Sequence, residues 1–232
     1  MKKIFLSIVF IIFLLVPFYT QAVTLTYGAR SRGFRVLDVD LQYDIKDKSY
    51  TALTHTKTRG WLRLFDRSEM YLYSAGSLKP KGWTIDLSTY KRIKGKKESF
   101  YEIDFSNDSS YADFTAAVLS FLKQDCAQKR VIKIKDAKRK YKITIESRGI
   151  VEPDKDAVVK AENWVAYDLY VEPISGNYNK WFFKRYSNPQ KARIRLYFAT
   201  IPEIKEAVLM KAEMDSIALG TVRLKLESVS AD

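Results

Sequence analysis

Few residues in this chain have the types and spacing that chemistry requires. His55 is the sole histidine and Cys126 the sole cysteine, which rules out a zinc cluster of histidine and cysteine ligands. Cys126 has no second cysteine in the chain to pair with and no histidine nearby in sequence to activate it, which leaves a small buried hydrophobe, ranked first, an intermolecular partner or an exposed thiol. Asp38 and Asp40 alternate along one segment and would lie about 7 Å apart on one strand face, a spacing compatible with paired-carboxylate catalysis. Charged residues that alternate in this way ordinarily form a strand's solvated face, and that reading is adopted here. His55, set among threonines, is read as a surface histidine. No Gly-x-Ser-x-Gly elbow and no glycine-rich phosphate loop occurs, so serine hydrolase and nucleotide chemistry have no motif to rest on. The expectation is no catalytic residue, no metal and no cofactor.

The aromatic residues are more informative. Trp61 and Phe65 are spaced to share one side of a short helical turn over Gly60 to Phe65, with Leu64, and would plug one mouth of a barrel. Trp181, Phe182 and Phe183 run directly into Lys184 and Arg185, a combination that sets rings at a membrane surface with cations beside lipid phosphates. Phe114 and Phe121 belong to a helical stripe. These nine residues are the candidate ligand or membrane contacts. The competing interpretation is ordinary core or loop packing.

The elements that must position them are mostly strands. Leu37, Val39, Leu41, Tyr43 and Ile45 alternate with Asp38, Asp40, Gln42 and Asp44, the period of two that marks one buried and one wet face. The same alternation returns at Tyr101–Phe105, Tyr141–Ile145, Val165–Val171, Ile194–Phe198 and Val222–Leu226. Strands buried on both faces would be continuously apolar, so these are antiparallel signatures, and turn signals such as Lys94-Gly95-Lys96 and Asp136-Ala137 link them as a meander. One segment differs: Phe114, Ala117, Val118, Phe121 and Leu122 recur at helical spacing, and Ser110 with Asp113 resembles a capping box. A helix over about 111–124 is expected. A large antiparallel sheet and one amphipathic helix bury each other best if the sheet curls around the helix. The expected fold is therefore mainly β, an open or half-closed barrel, with its interior either filled or holding an apolar cavity.

The N-terminus carries a different pattern. Lys2 and Lys3 precede an apolar run from Ile4 to Val16, Pro17 interrupts it, and Thr20-Gln21-Ala22 follows. That is the order of a cleavable secretory signal over residues 1–22, and the run is shorter than a bilayer span needs. A single exported domain over 23–232, in the periplasm and without a transmembrane anchor, is expected. The formal charge is +13; residues 1–22 contain two lysines and no acid, so removing them leaves +11. Such a surplus favours an anionic contact, here a lipid or other anionic envelope component rather than nucleic acid. A basic ladder of Lys133, Lys135, Lys140, Lys142, Arg193, Arg195, Arg223 and Lys225 would merge into one positive patch if its strands were neighbours.

Leu25-Thr26-Tyr27, Arg32-Gly33-Phe34, Tyr50, Thr58-Arg59-Gly60, Ser77-Leu78-Lys79-Pro80, Asp113 with Val118-Leu119-Ser120, and Leu219-Gly220-Thr221-Val222 follow one another in a pattern that resembles the bacterial exported domain-of-unknown-function family DUF3108. Ala207-Val208-Leu209 stands where that pattern has Arg-x-Pro, and Trp181–Arg185 is an insertion. The resemblance implies a curved antiparallel sheet and an envelope location, and implies no chemistry. The architecture it implies is loosely similar to periplasmic lipoprotein carriers. The functional expectation is a non-catalytic envelope protein binding a lipid or other amphiphile in a curved-sheet cavity. The alternative is a structural protein docking to an anionic partner or polysaccharide through its basic face.

Overall fold

The structure is a computed structural model that describes residues 22–46, 48–79, 82–105, 110–122, 130–136, 139–175, 192–216 and 219–231. In chain order its elements are β1 (Val23–Ser31), β2 (Phe34–Lys46), β3 (Ser49–Thr58), α1 (Leu62–Phe65), β4 (Ser68–Lys79), β5 (Gly82–Lys94) and β6 (Lys97–Glu102). After these come β7 (Tyr111–Ala112), α2 (Phe114–Leu122), β8 (Arg130–Lys135), β9 (Lys140–Ile150), β10 (Glu162–Ser175), β11 (Ala192–Ile201), β12 (Glu206–Ser216) and β13 (Gly220–Ala231). They form one 13-stranded sheet in the order β6-β5-β4-β3-β2-β1-β13-β12-β11-β10-β9-β8-β7.

The fold is thus the expected large antiparallel sheet, left open, but the meander is not one continuous run. Two meanders, β1–β6 and β8–β13, are joined by pairing of β1 with β13. Only β7 runs parallel to its neighbour β8, because α2 intervenes and returns the chain in the same direction, as a parallel crossover requires. No ladder joins β6 to β7 among the described residues, so a seam separates the sheet's two edges.

Strand alternation translates into burial where the ladder is regular. Leu41 and Tyr43 are buried, with Val39 and Ile45 packed beside them; Tyr141, Ile143 and Ile145 are buried in turn on β9. In β10 Val165, Tyr167, Leu169 and Val171 keep one face, in register with Phe198, Leu196, Ile194 and Ala192 of β11, and Tyr167 packs with Leu169 and Val171 and meets the Phe198 ring at 5.9 Å. Trp164 and Ala166 are buried as well, and the bulge beside Ala166 and Tyr167 places its extra residue, Arg148, in β9.

The helix touches β4 and β5 near one edge, β7 and β8 at the other, and β12 between them. One helix reaches such widely separated strands only from the concave side of a curled sheet. Its start and its buried face both differ from the sequence expectation. Tyr111 and Ala112 are strand, and Asp113 itself is the N-cap: its Oδ1 accepts the Ala116 amide at 2.7 Å, the bond that satisfies an otherwise orphaned helical donor. The residues turned inward are Thr115, Ala116, Ala117 and Leu119, while Phe114 stays 44% exposed. Ala116 and Leu119 join the cluster of Leu25, Tyr27, Tyr43 and Tyr50, and Ala117 joins a second cluster built from β8 to β11. Small residues let α2 lie close to both walls. Leu119→Ala should therefore cost about 3 kcal/mol, within the usual range for a fully buried leucine, as a lowered urea midpoint with unchanged slope; a midpoint equal to wild type would show that the helix is not part of the core.

Candidate functional site

The seam holds a cleft of about 300 Å³. One wall is Leu72 of β4, Tyr90 and Arg92 of β5, and Ser99 and Tyr101 of β6, continued by Ile103, whose amide still bonds to Ser88 O on β5 at 2.8 Å. The opposite wall is Lys135 at the end of β8 with Asp136 and Arg139 from the turn into β9, and the floor is Asp113 and Phe114. Lys135 spans the seam, donating from Nζ to Asp104 O at 2.6 Å and lying 5.6 Å from the Phe105 ring centre. Phe114 packs its ring 6.0 Å from that of Tyr141, and the Tyr141 hydroxyl donates to Asp136 at 3.3 Å.

Arg92 Nε, a buried donor at this cleft, has no hydrogen-bond partner among the described residues, while the Asp113 carboxyl is faced by the Ser74 and Ser88 hydroxyls. Asp113 is completely buried. Burial pushes its carboxyl above the ordinary aspartate range, against the opposing pull of the Ser74 and Ser88 hydroxyls that face it and of the Ala116 amide. A buried carboxyl raised in this way is held as the neutral acid over a wider pH range and can then donate a proton. Arg92 uses one arm on Asp66, at 3.2 Å, which leaves Nε directed elsewhere. The cleft therefore combines apolar and aromatic surface with three cationic side chains, the acid Asp136 and the buried Asp113, a composition suited to one anionic group on an apolar body.

Of the candidate contacts, the structure brings only Phe114 to this cleft. Trp61 and Phe65 lie at α1, where they are exposed and do not plug a mouth. Phe121 falls in the last turn of α2, but its side chain is outside the described residues, as are Cys126 and Trp181, Phe182, Phe183, Lys184 and Arg185. Arg92, Tyr90 and Arg139 carried no signal in the sequence, since only the meeting of two distant edges makes them neighbours. Asp113 stood out there only as part of a cap.

The other residues singled out for chemistry have structural partners. Asp38 is held by the guanidiniums of Arg35, at 2.5 Å, and Arg59. Although burial opposes it, those two arginines draw the Asp38 carboxyl below its usual range, the opposite of what a general acid needs. His55 stacks on Tyr71 with centroids 4.4 Å apart and stands 3.6 Å from Asp40. Of the strands in the basic ladder only β8 and β9 pair directly, with β10 and β12 lying between β9, β11 and β13, and acids interleave with it. Asp168, fully buried, meets Arg148 at 2.5 Å and Arg195 at 2.7 Å, Glu213 meets Lys211 and Arg223, Glu172 meets Lys142, and Asp154 meets Lys211 and Lys225. The expected single positive patch is instead a largely neutralised lattice of ion pairs.

No family model matches the chain, so the resemblance to DUF3108 has no such support, and no curated protein matches it. Among solved structures, a β-barrel-like protein of domain of unknown function DUF1849 from Brucella abortus aligns with 91% of this chain and 98% of its own at 11% identity, with a TM-score of 0.44.

The raised Asp113 carboxyl has a signed consequence. A group that binds its proton more tightly in the folded state contributes stability that is complete below the unfolded value and is lost as pH rises through the folded one. Stability should thus fall as pH climbs from about 4, the ordinary aspartate value, through the raised Asp113 value. Asp113→Asn keeps a capping oxygen and should flatten that slope, measured as urea midpoints across the interval; parallel curves for the two proteins would show that Asp113 is not neutral in the fold.

Proposed function

We propose that this protein is a non-catalytic binding module of the bacterial envelope whose seam cleft takes a single-chain or single-ring anionic amphiphile. The observation that carries this reading is the unpartnered buried donor Arg92 Nε in a cleft otherwise walled by Leu72, Tyr101, Ile103 and Phe114. A ligand carboxylate or sulfonate would accept a hydrogen bond from Arg92 Nε, and its apolar part would cover Phe114. Each bond made to an otherwise unsatisfied buried group recovers its desolvation cost. At about 300 Å³ the cleft lies at the small end of the range for ligand sites, which favours one short chain over a two-chain lipid. The cores on both sides of α2 are filled by side chains, so this reading locates the ligand at the seam and not along the whole concave face. The leader-like pattern of residues 1–22 supports export.

A fluorescent fatty-acid analogue displaced by decanoate tests the reading. Saturable displacement is expected, weakened about tenfold in Arg92→Gln, the loss of one charge-assisted hydrogen bond, and abolished in Phe114→Glu, an exposed position where the fold should tolerate the change. Absence of displacement, or equal affinity in all three proteins, would refute a ligand at the seam.

A further inference from the structure

The end of the sheet that carries α1 presents large apolar side chains to solvent on a rigid mount. Phe34 is 64% exposed, Leu64 75% and Phe65 77%, and Trp61 meets Phe65 edge to face at 6.1 Å. Of the α1 segment, Leu62 packs inward, against Ala29, Val36 and Val222. The mount is built at both ends. The Arg59 amide bonds to Val36 O at 2.8 Å and the Asp66 amide to Leu62 O at 2.9 Å, while Thr58 Oγ1 donates to Asp66 O at 2.6 Å. Gly60 adopts φ +51° with the Arg35 carbonyl where a Cβ would be, at 2.3 Å, so the β1–β2 turn bearing Phe34 is pressed against the start of α1.

Charge at this end is one-sided. Asp38 is taken by Arg35 and Arg59, and Asp66 by Arg92 and Lys94. The exposed Arg32, Arg63 and Arg67 have no ion pair among the described residues. This contrasts with the ion-paired outer face of β9 to β13.

We infer that the α1 end is a docking surface for an anionic bilayer, inserting Phe34, Trp61, Leu64 and Phe65 at the headgroup boundary while Arg32, Arg63 and Arg67 meet lipid phosphates. Exposed rings and aliphatic side chains gain by entering that boundary, and each basic residue near an anionic surface adds attraction that falls away within a Debye length. A second copy of the chain fits poorly, because apposing two such ends would bring two sets of unpaired arginines together. This surface is distinct from the seam cleft and does not depend on it.

The test is flotation of protein purified from the host envelope, its N-terminus read by mass spectrometry, with vesicles of phosphatidylcholine alone or mixed with phosphatidylglycerol. Binding should require phosphatidylglycerol, weaken with added salt, and fall at least about tenfold in Leu64→Ser/Phe65→Ser and in Arg63→Glu/Arg67→Glu. Quenching of tryptophan by brominated lipid should disappear in Trp61→Phe. Phe114→Glu should bind vesicles as wild type does, which separates this surface from the cleft. Binding unchanged in both double variants, no preference for the anionic lipid, or a wild-type dimer that Leu64→Ser/Phe65→Ser dissociates would overturn the inference, the last by showing that a second copy covers these side chains.

Discussion

The structure depends on one packing constraint: a sheet of this width must bury its concave face, and α2 is what it closes upon. An open twisted sheet of so many strands curls instead of lying flat, and a curled sheet leaves an interior that side chains alone have to fill. Leu119 and Ala116 meet a cluster drawn from β1 to β3 and from β10 to β13, and Ala117 meets one drawn from β8 to β11. The helix is thus the common wall of two cores that share few other residues. Its position is set by Asp113, whose carboxylate oxygen holds the Ala116 amide and starts the helix three residues later than Ser110 would have allowed.

Much of this was legible in the residues and some was not, for identifiable reasons. Alternation in β2 and β9 predicts burial correctly because their ladders keep register there. The same reasoning places Tyr167, Leu169 and Val171 on one face correctly but gives no sign that Trp164 and Ala166 are also buried, since a bulge is a feature of pairing and leaves no mark in one strand's periodicity. The helical stripe is right at Ala117 and wrong at Phe114. Phe114 is more apolar than Thr115, yet Thr115 is buried and Phe114 is not, because α2 fits against both walls only with small side chains inward. Pairing of β1 with β13 joins residues from opposite ends of the chain, and the seam follows from it. No local pattern reports a juxtaposition of that range, which is why Arg92 and Arg139 were invisible as a site while Trp61 and Phe65, adjacent in sequence, stood out.

Net charge was a poor guide to where charge acts. A surplus of +13 suggested a uniformly basic face, but the strands from β9 to β13 spend their cations on one another's acids. Asp168 is the clearest case, a buried carboxylate between two guanidiniums, where removing either partner type would leave an uncompensated charge. The consequence is that unpaired positive charge becomes local. It collects at chain reversals such as Arg32 and at the α1 segment with Arg63 and Arg67, where no facing strand supplies an acid.

Arg92 connects the α1 end to the seam cleft. Its guanidinium holds Asp66 at 3.2 Å, and Asp66 closes α1 through its amide bond to Leu62 and receives Thr58 on its carbonyl. The same guanidinium lines the seam cleft with Nε unpartnered. A guanidinium is planar and rigid, so its two sides cannot be reoriented independently. Any group that engages Nε in the cleft therefore acts on a side chain already fixed to the base of α1. The cleft is thus tied to the base of α1, while the exposed Phe34, Leu64 and Phe65 stand clear of that ion pair.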